Sequence, residues 1–318
     1  MKAVGLDLGG TFIKVGLVDE TGRILKKKQL PTRAEEGRDR VLVQMEKGVR
    51  GVLESGTRGI GIGTPGIVDR RGFVYSAPNL PAWDNLNLKR YFEERLSLPV
   101  VVENDVNTIT WGEYLFGAGK GSRCMVCITL GTGLGGGIVM EGRLLRGGEY
   151  SAVELGHIPI NYKGPLCKCG NRGCIERYVG AQYITAMAKR EIRRGRKSKI
   201  EEIVEGNLAK ITPKIIAQAY SQGDRLSEEI WIKVGRYLGA FFSGIVNIFN
   251  PEVIVIGGGI SQAGEILFSS LRSEVKNRAY ALFSQGLRVV PAGLGVEAGI
   301  VSAASLILRS RNDKAGSE

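Results

Sequence analysis

Three cysteines and the only histidine of the chain have the spacing of metal ligands. Cys167, Cys169 and Cys174 fall within eight positions, and His157 lies ten residues before the first of them. A Cys₃His set supplies the four ligands of a closed tetrahedral zinc site, and the glycines of CGNRGC permit the sharp turns that such a site needs. Buried free thiols would not explain three cysteines in a polar, glycine-rich segment. Because a closed site leaves no position for Lewis-acid chemistry, the sequence predicts a structural zinc ion.

Two glutamates flank this predicted zinc segment. Glu154 lies three residues before His157, and Glu176 lies two residues after Cys174. An imidazole can bind zinc through one ring nitrogen and donate a hydrogen bond from the other. The two carboxylates and His157 together predict a site that binds the hydroxyl groups of a polyhydroxylated ligand.

A further acidic motif, Glu103-Asn104-Asp105, follows a short apolar run and precedes a predicted helix. An aspartate in this position can accept a proton from a hydroxyl group while the asparagine holds neighbouring hydroxyls. Asn and Asp are also the preferred N-cap residues of helices, and the local sequence favours that role. The two roles are compatible if they belong to different side chains.

Glycine-rich turns that contain threonine occur twice, in DLGGTFIK (Asp7 to Lys14) and in LGTGLGGG (Leu130 to Gly137). Gly9 and Gly10 would let backbone N–H groups approach a polyphosphate, and Asp7 would hold or orient its Mg²⁺. One copy could be an ordinary hairpin, so it is the second copy that favours phosphate binding. Both GxGxxG matches in the chain run into predicted strands rather than helices, which argues against a Rossmann site. The chain also contains no GxxxxGK[ST] string, which argues against a P-loop.

Predicted strands and helices alternate along the chain. The predicted strands are 2–8, 12–18, 23–30, 58–63, 100–102, 124–130, 137–140 and 253–256, and the predicted helices are 38–53, 88–96, 105–116, 181–194, 212–222, 226–249 and 297–308. The strand–turn–strand unit recurs after about 120 residues. This repetition predicts a duplicated α/β core with ligand between its halves.

Composition and charge argue against a membrane protein, a nucleic-acid-binding protein and a disulfide-stabilised protein. The 318 residues carry a formal net charge of +12, and no segment has the ~20 apolar residues of a membrane span. The basic stretch Lys189 to Lys199 is interpreted as a solvated helix face rather than a nucleic-acid site. An odd number of cysteines, five, in a chain without a signal-peptide pattern argues against a disulfide framework and predicts a cytoplasmic protein.

The chain resembles the ROK family of sugar kinases and sugar-responsive repressors, and within it the bacterial-type glucokinases. The resemblance covers nearly the whole chain in order: DLGGTxxK, GTPG, PNLPxW, END, LGTGLGGG, ELGH and CKCGNRGCIE. It implies a two-lobed, actin-like ATPase fold of the hexokinase type, with ATP and sugar bound in a cleft between the lobes. We expect a smaller lobe of residues 1–118 and 299–318, and a larger lobe of residues 119–298 that carries the zinc loop.

The resemblance also implies roles for individual residues. Asp105 would be the catalytic base. The sugar-binding residues would be Gly66, Asn79, Asn104, Asp105, Glu154, His157 and Glu176, and the zinc ligands His157, Cys167, Cys169 and Cys174. The nucleotide-binding residues would be Gly10, Thr11, Lys14, Gly131, Thr132, Gly133, Gly258 and Gly259. Asp7 and Gly9 are added to this set because of their positions in the first glycine-rich turn.

The implied activity is phosphorylation of a hexose at its 6-hydroxyl by MgATP, with glucose as the first choice. N-acetylmannosamine, N-acetylglucosamine, mannose and fructose stay open as substrates, as does polyphosphate as donor. A sugar-responsive transcriptional regulator is disfavoured because the first predicted strand begins at Lys2, without a preceding helix-turn-helix. An actin- or chaperone-type ATPase is disfavoured because it has no use for a zinc loop flanked by glutamates. We expect a homodimer that binds neither nucleic acid nor membrane, although no motif indicates the oligomeric state.

Overall fold

The computed structural model describes residues 1–77, 80, 83–148 and 153–309. Its strands are β1 (Lys2–Leu8), β2 (Phe12–Asp19), β3 (Ile24–Pro31), β4 (Thr57–Thr64), β5 (Ile67–Val68), β6 (Phe73–Ser76), β7 (Leu86–Asn87), β8 (Val100–Asn104), β9 (Cys124–Leu130), β10 (Leu134–Met140), β11 (Arg143–Leu144), β12 (Val253–Gly257) and β13 (Arg288–Pro291). Its helices are α1 (Arg38–Val52), α2 (Leu88–Leu96), α3 (Asp105–Leu115), α4 (Glu176–Val179), α5 (Ala181–Arg193), α6 (Lys199–Ile203), α7 (Pro213–Ser221), α8 (Arg225–Phe249), α9 (Glu265–Arg278), α10 (Ala281–Ser284) and α11 (Ala298–Leu308).

The chain folds into two compact units. The first consists of Met1–Gly121, Gly137–Val153 and Ala292–Glu318, and the second of Ser122–Gly136 and Glu154–Pro291. The lobe boundaries expected from the sequence, after residues 118 and 298, lie near two of these divisions. The segment Gly137–Val153, which the sequence analysis assigned to the larger lobe, is grouped with the first unit. The assignment of functional lobes stays a prediction.

Two five-stranded sheets repeat one strand order. The first has the order β3-β2-β1-β4-β8 and the second β11-β10-β9-β12-β13. In the first sheet β1 pairs antiparallel with β2 and parallel with β4. In the second, β12 runs parallel to both β9 and β13. The duplicated α/β core expected from the two glycine-rich turns is therefore confirmed.

Helix α11 lies directly on the first sheet because two strands carry glycine beneath it. A β-carbon on Gly5 would stand 2.0 Å from the backbone oxygen of Ile300, and one on Gly61 would stand 1.7 Å from that of Ala303. No larger residue fits at either position. This close packing brings the first turn of α11 next to the end of β1, where Asp7 lies.

Each predicted strand and helix is present, with ends that differ by a few residues. Helix α9 and strand β13 are among the elements that were not predicted. Leu267, Phe268, Leu271 and Val275 of α9 are buried and have helical spacing, so the signal for that helix was present in the sequence. Every helix in the described part of the chain is too short or too polar to serve as a membrane span.

Candidate active site and metal centre

The four predicted zinc ligands lie together in the second unit. The candidate ligand atoms of His157, Cys167, Cys169 and Cys174 all lie within 4.8 Å of one another. Sγ of Cys167 is 3.6 Å from Nδ1 of His157, and Sγ of Cys169 is 3.7 Å from Sγ of Cys174. The ring nitrogen that faces the thiols is therefore Nδ1, and Nε2 is the second ring nitrogen.

These distances fit a tetrahedral zinc ion. Zinc–sulfur bonds of about 2.3 Å and zinc–nitrogen bonds of about 2.1 Å place two sulfurs about 3.8 Å apart, and a sulfur and a nitrogen about 3.6 Å apart. The backbone N–H of Asn171 lowers the pKa of Cys169, whereas burial raises the pKa of Cys174 to about 12. A bound dication deprotonates coordinating thiols. The donor set and its geometry are compatible with zinc.

Backbone turns in the zinc segment require its glycines. Gly170 has φ +89° and Gly173 has φ +71°, a region that L side chains rarely adopt. A β-carbon on Gly173 would also stand 1.7 Å from the backbone oxygen of Asn161. The N–H of Cys167 donates to the carbonyl of Asn171 at 2.7 Å, which closes the turn around the thiols.

Glu154 begins the short 3₁₀ helix Leu155–His157 and is exposed. The backbone N–H of His157 donates to its carbonyl at 3.0 Å. Gly156 allows this segment to lie on the start of β10, because a β-carbon there would stand 2.1 Å from the backbone oxygen of Leu134. The backbone of Glu154 is thus held beside the zinc ligand His157, and its side chain is exposed.

Glu176 connects the zinc segment to the second glycine-rich turn, a contact that the sequence did not reveal. Its Oε2 accepts a hydrogen bond from the backbone N–H of Leu134 at 3.1 Å. A β-carbon on Gly133 would stand 2.1 Å from the same oxygen. In addition, the N–H of Ala181 donates to the carbonyl of Gly131 at 3.0 Å. Glu176 and the start of α5 therefore hold the turn in place.

Several glycines of the predicted nucleotide set face open space. Within the described residues no atom lies within 4 Å of a β-carbon built on Gly10, Gly131 or Gly259. Gly258 has φ +87°, and a β-carbon there would stand 2.2 Å from the backbone oxygen of Leu130. At Gly10, Gly131 and Gly259 the packing does not require glycine, so a ligand has room to approach the backbone. This space is compatible with phosphate groups at these turns.

The remaining predicted nucleotide-binding residues lie near the turn between β1 and β2 or beside Gly131. The N–H of Gly9 donates to the carbonyl of Phe12 at 3.0 Å, and the carbonyl of Thr11 accepts from Thr32 at 2.9 Å. Nζ of Lys14 donates to the carbonyl of Val296 at 3.2 Å. Thr132 lies at the centre of the second turn, where its backbone oxygen lies near Gly180.

Asp7 lies at the end of β1, opposite Lys14 in the antiparallel pair with β2. Burial and the negative charge of Asp105 raise the pKa of Asp7 to about 6, and the Lys14 ammonium opposes this shift. Gly299 in the first turn of α11 leaves room for the carboxylate, since a β-carbon there would stand 2.2 Å from Oδ2 of Asp7. Gly299 therefore makes room for the Asp7 side chain, a contact that sequence reasoning missed.

The N-cap of α3 is Asn104, and Asp105 is the first residue of the helix. Oδ1 of Asn104 accepts from the N–H groups of Val106 and Asn107 at 2.9 and 3.1 Å, and its Nδ2 donates to the carbonyl of Gly66 at 3.0 Å. The local sequence favoured an N-cap at this motif but did not show which of the two residues forms it. In the structure the amide caps the helix.

Gly66 has φ +105°, and a β-carbon there would stand 2.1 Å from the backbone oxygen of Ser76, so only glycine fits. The preceding turn is supported by Trp83, whose Nε1 donates to Oγ1 of Thr64 at 3.0 Å. Asn79, a predicted sugar ligand, lies outside the described residues. The first unit thus brings together Gly66, Asn104, Asp105 and Asp7, and the second unit brings together the zinc ligands, Glu154, Glu176 and the second glycine-rich turn.

A family model described as ROK family matches residues 3–310 of this chain. The chain belongs to the ROK family. It is 40% identical over 309 residues to a glucokinase of Thermotoga maritima, covering 96% of this chain and 97% of that protein. A crystal structure of a ROK family glucokinase from Streptomyces griseus, in complex with glucose and AMPPNP, matches with a TM-score of 0.82 and 36% identity, covering 96% of this chain and 99% of that one.

A xylose repressor of Caldicellulosiruptor bescii is 30% identical over 312 residues, which cover 96% of this chain and 77% of the repressor. This ROK chain therefore has both kinases and regulators among its relatives.

Proposed function

We propose that this protein is an ATP-dependent hexokinase that transfers the γ-phosphoryl group of ATP to the 6-hydroxyl of glucose. The observation that carries the proposal is the arrangement at the start of α3, where Asn104 is the N-cap and Asp105 is the first helical residue. Oδ1 of Asp105 accepts from the N–H of Val106 at 2.9 Å, a group that Oδ1 of Asn104 also binds, and this contact fixes the carboxylate at the helix N-terminus. The higher identity to glucokinases than to the repressor supports an enzyme. The glucose and AMPPNP in the Streptomyces griseus complex support the choice of sugar and nucleotide.

Asp105 is the general base of the proposed reaction. It accepts the proton of the 6-hydroxyl as that oxygen attacks the γ-phosphorus in line with the leaving ADP oxygen. Asn104 keeps one N–H of its Nδ2 after donating to Gly66, and this hydrogen is available to a sugar hydroxyl. The hydrogen bond between Asn104 and Gly66 fixes the two residues relative to one another.

The glycine-rich turns are the proposed phosphate sites. Gly10 and Gly131 present backbone to the phosphates without an intervening side chain, and Lys14 adds positive charge beside Asp7. The carboxylate of Asp7 is the proposed holder of Mg²⁺, directly or through water, because oxygen ligands suit that ion. When bound, Mg²⁺ would neutralise charge on the β- and γ-phosphates.

The zinc site is proposed to be structural. Four protein ligands leave no open coordination position. Its effect is to hold Glu154, Nε2 of His157 and Glu176 on one short segment, and these are the proposed ligands of the sugar hydroxyls together with Gly66 and Asn79. We further propose that the protein is a cytoplasmic homodimer that does not bind nucleic acid.

The decisive experiment is a coupled ADP-release assay with glucose, mannose, fructose, N-acetylglucosamine and N-acetylmannosamine, each with ATP or polyphosphate as donor. We expect the highest kcat/KM for glucose with ATP. The variant Asp105→Asn should lose at least about 10³-fold in kcat and still bind glucose, because the amide cannot accept the proton. No turnover with any sugar, together with retardation of duplex DNA at physiological salt, would favour a regulator instead.

A further inference from the structure

Glu103 is a buried carboxylate directly before Asn104 and Asp105. Its side chain is 5% exposed. Oε1 accepts hydrogen bonds from the backbone N–H of Asn104 at 3.0 Å and from Nδ2 of Asn107 at 3.1 Å. These two hydrogen bonds hold the N-cap residue and the first turn of α3 against Glu103, which belongs to strand β8.

The other oxygen of Glu103 is bound by an arginine from a distant part of the sequence. Nε of Arg146 lies 2.6 Å from Oε2, and the arginine side chain is 32% exposed. Arg146 follows β11, and the N–H of the preceding residue, Leu145, donates to the carbonyl of Ile138 in β10 at 2.8 Å. Both partners of the ion pair belong to the first unit.

Neither the motifs nor the proposed mechanism accounts for this pair. A carboxylate that is almost fully buried is stabilised by a charged partner, and removing the arginine of such a pair leaves the carboxylate charge in the interior without that counter-ion. Here that charge would lie two residues from the proposed base. It would repel the carboxylate of Asp105 and would favour a rearrangement of the first turn of α3.

We propose that Arg146 is a positioning residue for the phosphoryl-transfer reaction, acting through Glu103 on Asn104 and Asp105. The guanidinium neutralises Glu103, so the carboxylate can remain in the interior and hold the N–H of Asn104. Asn104 then caps α3 and orients Gly66, and Asp105 is kept in the geometry in which it accepts a proton. The proposal rests on the proposed kinase function, because its effect is expected in turnover.

A double-mutant cycle tests the proposal. Arg146→Met keeps most of the aliphatic length but removes the charge, and we expect kcat to fall by about 30- to 100-fold with the KM for ATP changed less than about 2-fold. Glu103→Gln keeps an oxygen acceptor for the N–H of Asn104 and has no charge to compensate. We therefore expect E103Q and the double variant E103Q/R146M to stay within about 5-fold of the wild-type kcat.

Two further variants separate positioning from simple loss of a loop contact. Arg70→Gln is the matched control, because Arg70 is an exposed arginine whose Nη2 donates to the carbonyl of Gly147, in the same segment. It should leave kcat unchanged. Arg146→Lys retains the charge and should recover most of the activity that R146M loses. If R146M is insoluble, R146K and the double variant still test the prediction.

The proposal is overturned if R146M keeps wild-type kcat, if R146K is as impaired as the soluble R146M, or if the double variant loses at least as much as R146M. If R146M is insoluble, a loss of 30-fold or more in R146K or in the double variant overturns it. Thermal unfolding of each variant is measured alongside, so that a fall in kcat is compared among equally folded proteins. Failure of the proposed function is a different result, since it would appear as a wild-type protein with no turnover on any hexose.

Discussion

The carboxylate of Glu176 accepts a hydrogen bond from the backbone N–H of Leu134 at 3.1 Å, which links the zinc segment to the second glycine-rich turn. The residue expected to bind sugar thus also supports the loop expected to bind phosphate. Both roles depend on the same side chain, but they need different chemistry from it. Supporting the turn needs one oxygen acceptor, whereas binding sugar hydroxyls favours the full carboxylate.

Substitutions of Glu176 should therefore separate the two roles. Glu176→Gln retains an oxygen for Leu134, so we expect the KM for glucose to rise by about 10-fold while the KM for ATP stays near wild type. Glu176→Ala loses the acceptor and should raise both KM values. Initial rates measured with each substrate varied in turn check this, and an equal effect of the two substitutions on the KM for ATP would contradict it.

The glycines of the same turn should respond differently to alanine. A β-carbon at Gly131 meets no described atom within 4 Å, whereas one at Gly133 would stand 2.1 Å from Oε2 of Glu176. Gly131→Ala should raise the KM for ATP by about 10-fold without lowering Tm, because the methyl group occupies only the space for phosphate. Gly133→Ala should lower Tm as well and raise the KM for glucose.

Gly244→Ala in α8 is the control for these two substitutions, since a β-carbon there also meets no described atom within 4 Å. It should leave both KM values unchanged and should not lower Tm. Unchanged ATP kinetics in Gly131→Ala would show that the turn does not contact the phosphates.

Metal analysis should find one zinc ion per chain, and Cys169→Ser should lose it. Cys169 is exposed, so the substitution itself creates no cavity and any fall in Tm reports the lost ligand. We expect Tm to fall by several degrees and the KM for glucose to rise, because Glu154, His157 and Glu176 are no longer held together. Cys124→Ala, a cysteine of β9 outside the cluster, should keep its metal. Full activity in a zinc-free protein would refute the structural role.

The raised pKa of Asp7 predicts an effect of pH on stability. The folded state holds the Asp7 proton up to a pKa of about 6, against 3.8 for the ordinary group. The folded protein therefore binds this proton more tightly than the unfolded chain, and the free energy of unfolding should fall as the pH rises from about 4 to about 6. The contribution is on the order of 1–3 kcal/mol. Asp7→Asn removes it, so this variant should gain stability relative to wild type at pH 7 but not at pH 4.

Denaturant unfolding of both proteins at the two pH values measures this difference. Asp105→Asn should have a smaller effect of the same sign, since it removes the charge of the neighbouring carboxylate that raises the pKa of Asp7. If the difference between wild type and Asp7→Asn is the same at both pH values, Asp7 does not titrate in this range.

The zinc ligands and the duplicated core were readable because each signal is local or repeats. The cysteines lie within one short segment, and the two strand–turn–strand units share one pattern of apolar residues and glycines. Helix α9 was readable from its buried spacing but was not predicted. The choice between Asn104 and Asp105 as the N-cap was not readable, because both residue types cap helices and only the packing of the Asn104 amide against Gly66 selects between them.

By itself, the sequence determined which chemical groups this protein has: a Cys₃His metal set, acidic residues around it, and two glycine-rich turns, the first of which follows Asp7. Only the tertiary structure decided which residues, distant in the sequence, come into contact with these groups. Arg146 lies 43 residues from Glu103, and Glu176 lies 42 residues from Leu134, yet each pair is in hydrogen-bond contact. The physical reason is that strand order and close glycine packing set such contacts, and no local spacing rule extends over that separation.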